Sequence, residues 1–309
     1  MKKCFLALFQ FFILFFTIYG QTTLPPDMVL VQAGTQTLGC TSEQSPCETD
    51  ECLGREVNVP DFYISKYEVT QAQWESVMMG NPSILVLCGA DCPVEQISWY
   101  QAAVFCNRLS EVLGYTPCYY ENATFTRVFG KNGPPFNNPT WPVTTVNNGP
   151  IYWKQDANGF RFPTEVEWEY AARGGNLAAI QTKYSGSNNP DDVAWYFINS
   201  GAPSYTSNSP LVGGRGTRSV GQKAPNALGL YDMSGNVWEY CYDYYGACST
   251  AQTCNPIGPT TGSNRTARGG GITSSANFIR IANRSDSGIG VDPTVSTLKD
   301  IGIRLVRTP

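Results

Sequence analysis

Histidine is absent from this 309-residue chain, so its chemistry has to come from eleven cysteines and from carboxylates. That excludes a Ser-His-Asp triad, a Cys-His dyad and His-ligated zinc, non-haem iron or copper. It also removes the usual general acid and base of neutral-pH catalysis. Two constellations remain. Glu165 and Glu169 stand four residues apart, with Arg173 a further four along. Paired carboxylates could act as an acid–base couple, but an arginine in the same register favours ion pairing along one helix face. The second constellation is Cys40, Cys47 and Cys52, clustered closely enough to suggest a metal site. Their spacing is not that of a zinc ribbon.

Residues 1–20 read as a signal peptide. Lys2 and Lys3 precede an apolar run from Phe5 to Ile18, and Gly20 is a small residue suited to cleavage before Gln21. The run is shorter than the roughly 20 residues a spanning helix needs, and no later segment is apolar for long enough. Cys4 precedes the apolar run and is a poor lipidation site. The expectation is a secreted, periplasmic or cell-surface protein with no membrane span once the signal is removed. Losing Cys4 leaves an even set of cysteines, which in an exported chain points to disulfides. Local spacing favours Cys88–Cys92, Cys248–Cys254 and Cys106–Cys118, leaving Cys40, Cys47, Cys52 and Cys241. A net charge of −4 argues against a nucleic-acid partner.

Three helices must position these residues. The first starts at Thr70, with Gln73 completing a capping box, and runs to Met78. The second spans Ser98 to Leu113 on an apolar stripe of Ala102, Val104, Phe105, Leu109 and Val112. The third is capped by Thr164 with Glu167 and ends at Gly174-Gly175. Strands are expected at Met28–Ala33, Phe62–Tyr67, Val237–Tyr242 and Ile301–Val306. Long stretches rich in Gly, Pro, Asn, Ser and Thr separate them. Only 15% of residues are charged, against roughly a quarter in a typical domain. Aromatics reach 13%, which is not the composition of disorder. The expected fold class is α+β, mixed and loop-rich, with few regular elements.

Four segments form an ordered signature: Tyr67-Glu68-Val69-Thr70; Pro93-Val94-Glu95 through Trp99 to Asn107; Phe160-Arg161-Phe162-Pro163-Thr164 through Arg173-Gly174-Gly175; and Asn226-Ala227-Leu228-Gly229-Leu230-Tyr231-Asp232-Met233-Ser234-Gly235-Asn236-Val237-Trp238-Glu239. Arg268-Gly269-Gly270 and Ile301-Gly302-Ile303-Arg304-Leu305-Val306 complete it. In order and spacing these resemble the formylglycine-generating enzyme, or sulfatase-modifying factor, family. The resemblance covers about 28–307, within a single domain of 21–309. It implies a variant of the C-type lectin fold in which most Arg, Glu, Trp and Asn residues of the motifs are scaffold. It also implies calcium held by the side chains of Asn236 and Glu239 and the carbonyl of Val237, a chemistry suited to oxygen donors.

The family's oxidase chemistry requires two cysteines after Arg-Gly-Gly, which bind copper as thiolates. Here those positions fall on Ser274 and Ile279. Ile cannot ligate a metal, Ser is a poor Cu(I) ligand, and no cysteine follows Cys254. Copper-dependent formylglycine formation is therefore not expected. Related sulfoxide synthases bring an extra domain and His ligands, which this chain lacks. Some proteins with this fold are binding proteins whose C-terminal surface is diversified. By resemblance, the ligand face here is 272–300, with Ile272, Thr273, Ser274, Asn277, Phe278, Ser285, Asp286 and Ser287 as candidate contacts for a protein or glycan. An oxidase or other protein-modifying enzyme is the competing expectation.

Overall fold

A computed structural model describes residues 24–51, 53–131, 150–201, 215–246, 258–259, 261–288 and 300–309. The signal peptide, Cys52, the pair Cys248 and Cys254, and residues 289–299 of the expected ligand face lie outside them. So does the side chain of Ser287.

In chain order the strands are β1 (Met28–Val31), β2 (Gly34–Leu38), β3 (Arg55–Val59) and β4 (Phe62–Ser65). Helices α1 (Gln71–Met78) and α2 (Trp99–Val112) follow, then β5 (Tyr119–Tyr120), β6 (Tyr152–Trp153) and β7 (Phe160–Arg161). Next come α3 (Glu165–Ala172), the single turn α4 (Pro190–Val193), β8 (Trp238–Tyr244), β9 (Asn264–Arg268), β10 (Arg284–Gly288), β11 (Ile301–Gly302) and β12 (Val306–Arg307). The class is the mixed, loop-rich α+β arrangement expected, with two four-stranded sheets ordered β1-β4-β12-β7 and β10-β9-β8-β11.

All three long helices begin where local chemistry dictates. Thr70, Ser98 and Thr164 each accept the backbone N–H three residues on, and Gln73, Gln101 and Glu167 reciprocate onto the cap N–H. Two otherwise orphaned donors are satisfied at each start. Helix α3 stops at Gly174, whose φ of 87° favours glycine.

The expected strand Ile301–Val306 is two strands in different sheets. Ile301 and Gly302 pair in parallel with Trp238 and Glu239, while Val306 and Arg307 pair with β4 and β7. Between them the carbonyls of Ile303 and Leu305 accept from Val69 and Ser65. The switch points Arg304 inward, fully buried.

The cysteine expectations divide. Cys88–Cys92 is bonded, and so is Cys40–Cys47, which removes two members of the candidate metal cluster. Cys106 and Cys118 are not bonded, a correction to the expected pair. Both are fully buried in one apolar cluster with Phe105, Leu109 and Tyr119, where they pack as small hydrophobes. Cys241 is likewise free and buried in the neighbouring cluster.

Candidate functional site

The carboxylates of α3 are structural. Glu165 receives Arg284 at 2.6 Å and Arg268 at 2.9 Å. Glu169 receives Arg173 at 2.9 Å and Arg268 at 2.7 Å. Burial pushes the Glu165 carboxyl up, but Arg284 and Arg268 outweigh it and hold the group at about 2. An acid–base couple needs one member that can carry a proton near neutrality, and these two are fixed as carboxylates. The i,i+4 expectation holds for Glu169 and Arg173. Glu165 finds its cations across the fold instead.

The calcium set inferred from the resemblance does not fit these side chains. Glu239 is fully buried and both its oxygens are taken. Arg304 Nε donates to each at 3.0 Å, Arg304 Nη2 adds a bond to Oε1 at 2.8 Å, and Trp168 Nε1 donates to Oε2 at 2.7 Å. Asn236 Oδ1 accepts the Arg218 N–H, and its Nδ2 donates to Glu68 Oε2 at 2.6 Å. A carboxylate spent on a guanidinium is not a free anionic ligand for a cation. This segment welds β8 to the sheet switch at Arg304.

The segment after Arg268 forms the floor of the candidate site. Gly269 and Gly270 have φ of 90° and 73°. A Cβ on Gly270 would lie 2.6 Å from Ile279 Cγ2, and one on Gly271 would lie 2.3 Å from Asp300 Oδ2. The glycines thus permit a close turn over Ile279 and Asp300. Ile279 is fully buried against Tyr184, Val193, Ala194 and Tyr196, with Ala276 alongside. Ser274 is also buried, and its Oγ accepts the Gly271 N–H at 3.0 Å. The two positions the resemblance assigns to thiolates are thus an apolar plug and a hydroxyl tied to its own turn. Copper does not fit there.

Of the other candidate contacts, Thr273 is exposed and donates its N–H and hydroxyl to Asp300 Oδ2 at 3.2 and 3.1 Å. Phe278 is 46% exposed, a large aromatic turned to solvent. Asn277 is half-buried and bridges Glu48 and Arg280. Ile272 is a correction: it is fully buried, its N–H bonded to the Asn236 carbonyl and its own carbonyl to the Ser200 hydroxyl. Ser285 and Asp286 sit on the outer strand β10, opposite Ala267 and Thr266 of β9. They extend a sheet edge, while Thr273 lies beside Asp300 at the entry to β11.

Several residues absent from the sequence reading surround Thr273 and Phe278. The Phe197 N–H donates to the Ser274 carbonyl at 2.9 Å, bringing exposed Phe197 and Ile198 beside this turn. Arg215 stacks on Phe197, its guanidinium carbon 3.5 Å from the ring centroid. Beneath lie Asp300 and Glu95, whose carboxyls burial pushes up, Glu95 to about 8. The sequence signal for this neighbourhood is thin: an apolar run, Trp195-Tyr196-Phe197-Ile198, within a polar stretch.

Comparison with known proteins gives a consistent family. A model described as "Sulfatase-modifying factor enzyme 1-like domain" matches residues 17–309. The chain is 39% identical over 295 residues to a protein of Paenibacillus barcinonensis named "Chaperone protein LppX", covering 94% of this chain and 92% of that one. It is 28% identical over 265 residues to the formylglycine-generating enzyme of Bos taurus, covering 81% and 67%. Among solved structures, Treponema denticola variable protein 1 superposes with a TM-score of 0.69 at 30% identity, over 91% of this chain and 95% of that one.

Proposed function

The chain belongs to the sulfatase-modifying-factor family, and within it we propose a non-catalytic binding protein that engages a polypeptide or glycan through the rim around Thr273 and Phe278. One observation carries this reading. Ile279, which by resemblance stands at a catalytic-thiolate position of the family, is sealed in an apolar cluster. A redox site there would need a thiolate and an open path to substrate, and both are replaced by hydrocarbon. Burying such a side chain contributes about 1.5–3 kcal/mol, so the plug stabilises the fold at the place where chemistry would occur.

Two of the relatives are named a chaperone and a variable protein, while others, at lower identity over most of the chain, are named formylglycine-generating enzymes. The rim offers exposed aromatic and hydroxyl groups suited to recognition. Export fits the two disulfides among the described residues. No helix among those residues is long and apolar enough to cross a membrane.

The competing reading is formylglycine formation. Incubating the purified protein with a sulfatase-motif peptide and Cu(I), then searching by mass spectrometry for Cys-to-formylglycine conversion, separates the two. No conversion is expected, and clear turnover would overturn the binding reading.

A further inference from the structure

Beside the rim three buried polar atoms lack a partner together. These are Nε1 of Trp195, Nε of Arg218 and Oγ1 of Thr217. Buried N–H donors are nearly always satisfied, and one that is not calls for an acceptor from outside the chain. Two of them belong to one place, and the third is adjacent in sequence. The Arg218 guanidinium carbon lies 5.2 Å from the Trp195 ring centroid, and Lys223 Nζ lies 4.2 Å from the same ring. Thr217 is the neighbour of Arg218 in sequence and is 1% exposed.

Neither cation makes a direct ion pair with a carboxylate among the described residues. Arg218 Nη2 donates to the Gly201 carbonyl and Lys223 Nζ to the Asp191 carbonyl, so their acceptors among the described residues are backbone oxygens. The carboxylates of Asp191 and Asp192 are oriented by other donors, Asp191 Oδ1 by Tyr196 and Asn199 and Asp192 by Ser187 and Asn189, and neither pairs directly with Arg218 or Lys223. Asp232 accepts the Gly221 N–H and lies within electrostatic reach of Arg304 and Lys223. A contrast shows why this cluster differs from an ordinary cation–π pair. Arg161 and Trp153 also stack with unpartnered nitrogens, but Arg161 is neutralised by a bidentate bond to Glu167 at 2.7 and 2.8 Å.

We propose that Trp195, Thr217, Arg218 and Lys223 form a binding site for a carboxylate carried by an acidic, aromatic-rich polypeptide segment. An indole N–H, a guanidinium N–H, a hydroxyl and an ammonium supply donors and positive charge, and carboxylate oxygens supply only acceptors. The polypeptide is favoured over a purely polar anion because the site is continuous with exposed apolar groups. The Asn236 N–H holds the Trp195 carbonyl at 2.7 Å, and two residues on Phe197 joins the Ser274 turn, next to exposed Ile198 and Phe278. Arg218 and Lys223 are half-buried long side chains, whose rotamers change without moving the backbone. This inference rests on the binding reading above and names its ligand chemistry.

The probe is a hexapeptide alternating glutamate and phenylalanine, with its glutamine counterpart as control, titrated into the full exported chain while the seven indole N–H signals are followed by NMR. Trp195→Phe assigns the signal of interest. The expected result is a saturable downfield movement of that signal, affinity at least about tenfold weaker for the glutamine peptide, and a loss of about tenfold in Arg218→Ala, the scale of a charge-assisted hydrogen bond. Trp195→Phe keeps an aromatic face but loses the N–H donor and part of the ring under the two cations, so it weakens binding by at least about threefold to tenfold. An unmoved indole signal, or equal affinity for both peptides, overturns the site and leaves an ordered water as its occupant. A sulfated glycan fragment that moves the signal while the acidic peptide does not overturns the polypeptide assignment. Turnover in the sulfatase-peptide assay would sink the binding reading alone, since the indole titration does not depend on it.

Discussion

Helix α3 with its arginines and the turn following Gly270 treat buried polar groups in opposite ways. Around α3 and β8 each long carboxylate meets a guanidinium: Glu165 with Arg284, Glu169 with Arg173, Glu167 with Arg161 and Glu239 with Arg304. Arg280 does the same for Glu51, tying the loop after Cys47 to the segment behind Phe278. Arg161 Nε in the first region is also without a partner, but its charge is neutralised by Glu167; around the turn, Glu95 Oε2, Trp195 Nε1 and Arg218 Nε are buried with no partner and their residues form no ion pair among the described residues. The first region is closed and holds long loops on short strands. The second keeps polar groups unspent, which costs stability and suits recognition.

The sharpest way to break the closed region is Arg304→Ala. It strands Glu239 in the interior without its guanidinium, and removing one partner of a buried pair costs about 3–5 kcal/mol. Urea unfolding is expected to show a loss of that size; a change below about 1 kcal/mol would mean the pair is not what holds the sheet switch. Next in size is Ile279→Ala, under the open region. Emptying that cluster is expected to cost about 2–5 kcal/mol without creating any oxidase activity. A neutral effect would show that the plug is loosely packed.

Smaller, and different in sign, is the pH response. Burial raises the Glu95 carboxyl from 4.5 to about 8. A raised folded-state value means the folded protein binds the proton more tightly. The stabilisation is therefore full below about pH 4.5 and is lost as pH rises toward 8. Glu165 runs the other way: its lowered value gives stability present above about pH 4.5 and lost as pH falls toward 2. Glu95→Gln mimics the protonated form. It is expected to raise the melting temperature at pH 8 relative to the parent and to leave it nearly unchanged at pH 4.5. An equal effect at both pH values would show that the carboxyl does not titrate in this range.

Much of the closed region could be read directly. Thr70, Ser98 and Thr164 with their partners three residues on mark helix starts, because capping is satisfied within one turn and needs no distant atom. The ordered motifs placed the chain in its family. Strand β10, Arg284-Ser285-Asp286-Ser287-Gly288, carries no apolar alternation and could not be read as a strand. It is extended because its backbone pairs with β9 and Arg284 is anchored on Glu165. Cys106 and Cys118 looked like a local bridge by spacing, but both turn into the core instead.

The sequence by itself determined the helix starts and the family, since each depends on residue identity or on contacts a few positions apart. Tertiary structure decided the rest. Glu239 pairs with Arg304 across 65 positions, which turned an expected calcium ligand into half of a buried ion pair. Ile272 was sent inward and Phe278 outward by a glycine turn that folds onto Asp300 and Ile279. Trp195 and Arg218 were gathered beside that turn by Asn236, whose backbone N–H donates to the Trp195 carbonyl and whose side-chain amide donates to the Arg218 carbonyl, while Lys223 is held by the Asp191 carbonyl. Burial and long-range pairing decide which polar groups are spent, and both depend on residues far apart in the chain.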